Sequence, residues 1–139
     1  MSSTRKTAIV TGASQGIGAG IVKAFVERGF NVVANSRKVT QSTEVAASDY
    51  VALVDGDIGQ PATAAKVVET ALARFQSIDV LVNNAGIFFA KPFTEYTAED
   101  FRSVVSTNLE GFLYAVFSAT DEEAWVTGQT LVLAGGRRQ

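Results

Sequence analysis

Residues 7–29 read TAIVTGASQGIGAGIVKAFVERG, and this stretch decides the fold. Thr7 to Thr11 is a short β-branched run stopped by Gly12, the pattern of a buried strand. From Gly16 onward Ile17, Ile21 and Phe25, with Val22 and Val26 beside them, recur at helical spacing until Gly29 ends the segment. Gly12, Gly16 and Gly18 therefore lie between a strand and an amphipathic helix. Anion chemistry asks for such a turn. One glycine permits the tight bend, a second lets the backbone approach a pyrophosphate, and a third lets helix and strand pack closely. The helix N-terminus then offers free N–H groups and positive dipole. The spacing is not G-x-G-x-x-G, and a purely structural turn has a similar composition. The flanking strand and helix are the context that favours nucleotide binding.

Working outward, Asn31–Asn35 and Val51–Val54 read as the second and third strands, and the polar stretch Thr40–Asp49 between them as a short helix. Pro61 suits the first turn of a helix with Ala64, Val67, Val68, Ala71, Leu72 and Phe75 on one side. Ile78–Val82 is a fourth strand. Thr97 followed by Asp100 is close to a capping box and opens a helix through Phe101, Val104, Val105, Leu109 and Phe112. Thr130–Leu133 is a last strand before Gly135-Gly136. Strands alternating with helices imply a parallel sheet covered on both faces. With no repeat or linker in the sequence, residues 1–139 read as one domain.

Composition narrows the chemistry. The 139 residues contain no cysteine and no histidine, which removes disulfides, thiolate or imidazole nucleophiles and the commonest metal ligands. A net charge of -2 gives no basic surface for nucleic acid. The opening MSSTRKTAIV is not a signal peptide and no run of apolar residues is long enough to span a bilayer, so a cytoplasmic, membrane-free protein is the expectation. Asp55-Gly56-Asp57 has the opening of a calcium loop, but Gly59 and Gln60 do not supply the later ligands; a strand-end turn is the reading, and no metal site is expected.

Taken together, the motifs resemble those of the short-chain dehydrogenase/reductase family. TGASQGIG is similar to that family's TGxxxGxG cofactor loop, and Asn83-Asn84-Ala85-Gly86 to its NNAG signature. Asp57-Ile58 stands where the family places an acid on the adenine ring, and Asn108, in STNLEGF, matches the asparagine of its catalytic tetrad. Residues 117–136 resemble its C-terminal segment. The resemblance implies cofactor contacts from Gly12, Ser14, Gln15, Gly16, Ile17 and Gly18, from Ser36 and Arg37, from Asp57 and Ile58, and from Asn84, Ala85 and Gly86. If the last strand docks beside Ile78–Val82, the 98–117 helix becomes an ordinary right-handed crossover, and the expectation is a shortened Rossmann-like three-layer α/β sandwich with about five parallel strands in the order 3-2-1-4-5.

The departure from the family matters as much. Its active site needs a serine and a Tyr-x-x-x-Lys pair after the Asn108 helix. Each of the three tyrosines fails this spacing: Tyr50 is followed by Val54, Tyr96 by Asp100 and Tyr114 by Ser118. The chain passes from Tyr114-Ala115-Val116 almost directly into the C-terminal segment, as an internal deletion of the central block would leave it. Asn108 is the remnant of the tetrad, and impaired turnover is the expectation. Residual carbonyl or alcohol oxidoreductase activity and a folding scaffold with vestigial binding are the alternatives.

Where NAD-preferring folds place an acid on the adenine ribose, this chain has Asn35-Ser36-Arg37-Lys38. Arg37 can pair with a 2′-phosphate, which favours NADP(H) over NAD(H), whereas Gln15 is neutral. The missing block also leaves an apolar face on the 98–117 helix. Phe112, Leu113, Val116, Phe117 and Trp125 either drive self-association there or close a small core.

Overall fold

The computed structural model describes residues 5–119 and 131–133. Strand β1 (Thr7–Thr11) leads through the glycine turn into helix α1 (Gly16–Glu27), and Gly29, at φ 84°, turns the chain into β2 (Asn31–Ser36). β3 (Val51–Asp55), α2 (Pro61–Phe75) and β4 (Val80–Asn83) follow. A helical rod then runs as α3 (Ala98–Val105), a π-helical turn (Ser106–Glu110) and α4 (Gly111–Ala119), before β5 (Leu131–Leu133). The sheet is parallel throughout, in the order β3-β2-β1-β4-β5. β5 pairs with β4 through Leu81 opposite Leu131, so the shortened Rossmann-like sheet has its last strand where the sequence reading put it.

Register explains the two cores. Ile9 stands opposite Val33 on one side and Leu81 on the other, and this row faces Ala64, Val67, Ala71 and Phe75 of α2 and Ala115 of α4. One residue along, Val10, Ala34 and Val82 form the next row and face Ala19 and Val22 of α1. Because side chains alternate across a strand, a continuous apolar run such as Ala8-Ile9-Val10 feeds both cores at once.

Several expectations need correction. Thr40–Asp49 is not a helix: a 3-10 turn spans Val39–Gln41 and irregular backbone follows. Tertiary bonds overrode the local tendency there, because Val39 and Val45 are buried in the α1 core and Thr40 is tied to Asp55. On α2, Ala64, Val67, Ala71 and Phe75 are buried, but Leu72 is 50% exposed. The fourth strand begins at Val80 rather than Ile78 and runs on to Asn83. The rod is broken by the π turn, and Phe101 and Leu109 face outward rather than into a core. The capping box is present in full, with Asp100 N–H donating to Thr97 Oγ1 (3.1 Å) and Thr97 N–H to Asp100 Oδ2 (2.9 Å). Trp125, Thr130 and the Gly135-Gly136 pair lie outside the described residues.

Candidate functional site

The site is built at the C-terminal ends of the strands, where an open parallel sheet leaves its loops. The three glycines of the turn do different things. Gly12 has φ 64°, and a Cβ there would lie 2.8 Å from Ala85 Cα, so the turn and the NNAG loop touch backbone to backbone. At Gly18 a Cβ would lie 2.0 Å from the Gly12 carbonyl oxygen, which makes it the close-packing glycine of strand and helix. Gly16 has φ 58° with open space where a side chain would stand. Left-handed backbone there exposes the chain to an incoming group without steric hindrance.

One hydroxyl fastens the glycine turn to the NNAG loop. Thr11 Oγ1 accepts from Asn84 N–H (3.1 Å) and Ala85 N–H (3.0 Å) and donates to the Val82 carbonyl (3.4 Å). Asn84 Nδ2 returns a bond to the Gly12 carbonyl (3.0 Å). The turn is also held from the β2 side, where Ala13 N–H donates to Asn35 O (2.9 Å). The buried Asn35 amide ties β2 to β3 by donating to Val54 O and Gly56 O. Both loops are thus rigid parts of the sheet edge.

Beside them runs a cleft of about 1160 Å³. That exceeds the ~300–1,000 Å³ of ordinary small-molecule pockets and leaves room for an extended dinucleotide. It brings together Gly12, Ser14, Gln15, Ser36, Arg37, Asp57, Ile58, Asn84, Ala85 and Gly86 of the residues singled out in the sequence. Ile58 is buried in the α2–α4 core apart from its edge on the cleft. Asp57 Oδ1 accepts Gly59 N–H (2.8 Å), which shapes the turn after β3. Gly16, Gly18, Ile17 and Asn108 do not line the cleft; Ile17 is 71% exposed at the start of α1.

Asn108 sits at the centre of the π turn. Its Oδ1 accepts Ile87 N–H (2.8 Å) and its Nδ2 donates to Ile87 O (3.0 Å), so both ends of the amide clamp the segment leaving the NNAG loop. A π turn is a common device for aiming one side chain at a functional segment. Sequence reasoning missed the opposite wall, formed by Arg102, Ser103, Ser106 and Thr107 on one face of the rod, and gave Phe88 and Phe89 no role. Arg102, Ser103, Ser106 and Thr107 make a polar helical face that looks the same in sequence whether it meets solvent or a ligand, and only the fold turns it toward the cleft. Arg37, Lys38 and Arg102 against Asp57 give the described lining an excess of positive charge, suited to phosphate.

Beside the cleft, the 39–45 segment is anchored by Asp55. Thr40 donates to this carboxylate through its hydroxyl (2.5 Å) and its N–H (2.9 Å). These bonds, the hydroxyl first, hold the Asp55 carboxyl below its ordinary value.

Comparison with known proteins agrees with this geometry. The short chain dehydrogenase family model matches residues 6–129. The chain therefore belongs to the short-chain dehydrogenase family. It is 39% identical over 121 residues to an uncharacterized oxidoreductase of Methylorubrum extorquens, a match covering 83% of this chain and 49% of that one. It is 35% identical over 113 residues to the NADP-dependent (R)-specific alcohol dehydrogenase of Lentilactobacillus kefiri, covering 78% of this chain and 45% of the relative. Among solved structures, a blue fluorescent protein from a metagenomic library in complex with NADPH superimposes with TM-score 0.74 at 31% identity, over 82% of this chain and 49% of that one. The chain spans about half the length of the curated relatives it matches.

Proposed function

We propose that residues 1–139 form one dinucleotide-binding domain that holds NADP(H) in preference to NAD(H) and turns it over poorly. The observation that carries this reading is the rim at the end of β2. Ser36, Arg37 and Lys38 line the cleft with no acid among them, and the Ser36 hydroxyl is buried without a hydrogen-bond partner among the described residues. A buried hydroxyl without a partner is unusual, and rotation of the Ser36 side chain toward the cleft would let a ribose or phosphate oxygen satisfy it. The residues therefore fit the group. Arg37 and Ser36 would hold the adenine-ribose phosphate, the glycine turn the pyrophosphate, and Asp57 with Ile58 the adenine. An NADP-dependent relative and an NADPH-bound neighbour support the same choice.

When bound, the nicotinamide supplies hydride exchange with a carbonyl or alcohol carbon. This chain offers little to move the accompanying proton. An unperturbed tyrosine titrates near ~10 and needs a neighbouring cation to act at neutral pH. Tyr96 O–H donates to the Phe89 carbonyl, and Tyr114 O–H to Glu110 (3.4 Å), so each hydroxyl is engaged locally. No lysine follows either tyrosine at the family's spacing. Loss of general acid catalysis alone is worth ~10²–10⁴-fold in rate. Partners beyond the cofactor are a second copy of the chain through the 98–117 helix, and neither nucleic acid nor membrane; the location is cytoplasmic. No helix among the described residues is long and apolar enough to cross a membrane.

Calorimetry with NADP and NAD tests the binding. The expected result is saturable binding tighter for NADP, with Arg37→Ala weakening NADP about tenfold and leaving NAD unchanged. A folded protein with no saturable heat for either cofactor refutes the reading. Following NADPH oxidation with a panel of ketones tests the turnover, and robust reduction by a homogeneous preparation overturns the impairment.

A further inference from the structure

The N-terminus of α1 already carries an anion. Gly16, its first residue, donates its N–H to Glu44 Oε2 at 2.8 Å, across 28 residues of sequence. Nothing local does this work: the side chain of the N-cap residue Gln15 makes no capping bond, and the first turn holds no acid. Glu44 is delivered by a fixed segment. Ser42 Oγ donates to the Ser14 carbonyl (2.5 Å) and accepts from Glu44 N–H and Val45 N–H, both at 3.1 Å. Val45 and Val39 are buried in the α1 core on either side, and Thr40 is tied to Asp55. The irregular backbone that replaces a helix here thus presents one carboxylate to the positive end of α1.

Ser14 and Gln15, immediately before Gly16, line the cleft. A phosphate seated on the glycine turn therefore meets either the N–H that Glu44 holds or the field of its charge. We propose that Glu44 is a built-in anion that competes with cofactor phosphate at the start of α1 and limits the affinity of this chain for phosphorylated nucleotides. The inference rests on the cofactor reading above and deepens it: Arg37 attracts the ligand, and Glu44 opposes it from the far side of Gln15.

Glu44→Gln isolates the charge, because the amide oxygen still accepts from Gly16. Two unit charges ~4 Å apart in water repel by ~1 kcal/mol, which is about fivefold in a dissociation constant. The expected result is NADP and NAD binding about fivefold tighter than wild type, adenosine binding unchanged, a Tm lowered by only a few degrees as the helix end loses its anion, and a difference from wild type that shrinks with added salt. Tightening confined to NADP identifies the 2′-phosphate as the competing group and still supports the proposal. Wild-type binding with no tightening in the variant overturns the proposal and leaves the cofactor reading intact. Absence of binding by both folded proteins sinks the two together. Should Glu44→Gln fail to fold, Glu44→Asp, which withdraws the carboxylate by one methylene, makes the same comparison with a smaller expected gain.

Discussion

The floor of the cleft and the helical rod beside it are held by different means. Around the glycine turn, Ala8, Ile9, Val10, Ala13 and the Val32–Ala34 run are buried, and Thr11, Asn35 and Asn84 are bonded to the backbone of neighbouring strands. Along the rod no residue of α3 is buried and α4 buries Gly111 and Ala115, while Phe101 at 67% and Leu109 at 54% face out. α4 is packed against the α2 core through Ala115, whereas α3 and the π turn are positioned by point fastenings: the Thr97–Asp100 capping box, the Lys91–Asp100 ion pair and the Asn108 clamp on Ile87. Burial gives the glycine-turn side of the cleft its stability, and directional bonds give α3 and the π turn their place. Changes in the two regions should therefore differ in size and in kind.

The largest effect is expected where backbone meets backbone. Gly18→Ala forces a Cβ onto the Gly12 carbonyl, and neither side is a flexible side chain that can give way. Destabilisation of at least about 3 kcal/mol is expected in urea unfolding. Next comes Thr11→Val, which keeps shape but leaves the Asn84 and Ala85 amides without their acceptor. It should lower stability by about 2–4 kcal/mol and abolish saturable NADP binding in calorimetry. In the rod, Asn108→Ala removes two solvent-exposed bonds to the Ile87 backbone, so a loss of only about 1 kcal/mol is expected, with faster amide exchange at Ile87.

Acid sharpens the comparison further. Asp100 is held below its ordinary 3.8 by the Lys91 ammonium first and by Thr97 second. A carboxyl depressed in the folded state adds stability that is present above the unfolded value and lost as pH falls through the folded one. The capped end of α3 should loosen below about pH 4, and Asp100→Asn should flatten that limb of a circular-dichroism titration. The smallest change in stability is expected from Leu109→Glu, within about 0.5 kcal/mol because the side chain is already outside. In sedimentation velocity, however, the wild type should run as a dimer and this variant as a monomer.

The same division describes how far the sequence could be read. Strands β1 to β4, helices α1 and α2 and the capping box follow from local periodicity and turn chemistry, which the sequence displays directly. The 39–45 segment does not, because its conformation comes from Ser42 and Thr40 reaching residues that are adjacent only after folding. The π turn at Ser106–Glu110 is equally silent: STNLE continues the helical pattern, and the extra residue is taken up to aim Asn108 at Ile87. The cleft-lining residues were legible where motif and strand end coincide, as at Gly12, Arg37 and Ala85. Glu44 and Arg102 were not, since a charge on a polar stretch looks the same whether it meets solvent or a cleft.

The Thr11 hydroxyl and the Asn84 side chain lock together two loops that form one wall of the cleft, and this has a kinetic consequence. A receptacle assembled beforehand has no rearrangement to perform when its guest arrives. Stopped-flow mixing should then give one exponential whose rate climbs linearly with nucleotide concentration, without the plateau that a closing lid imposes.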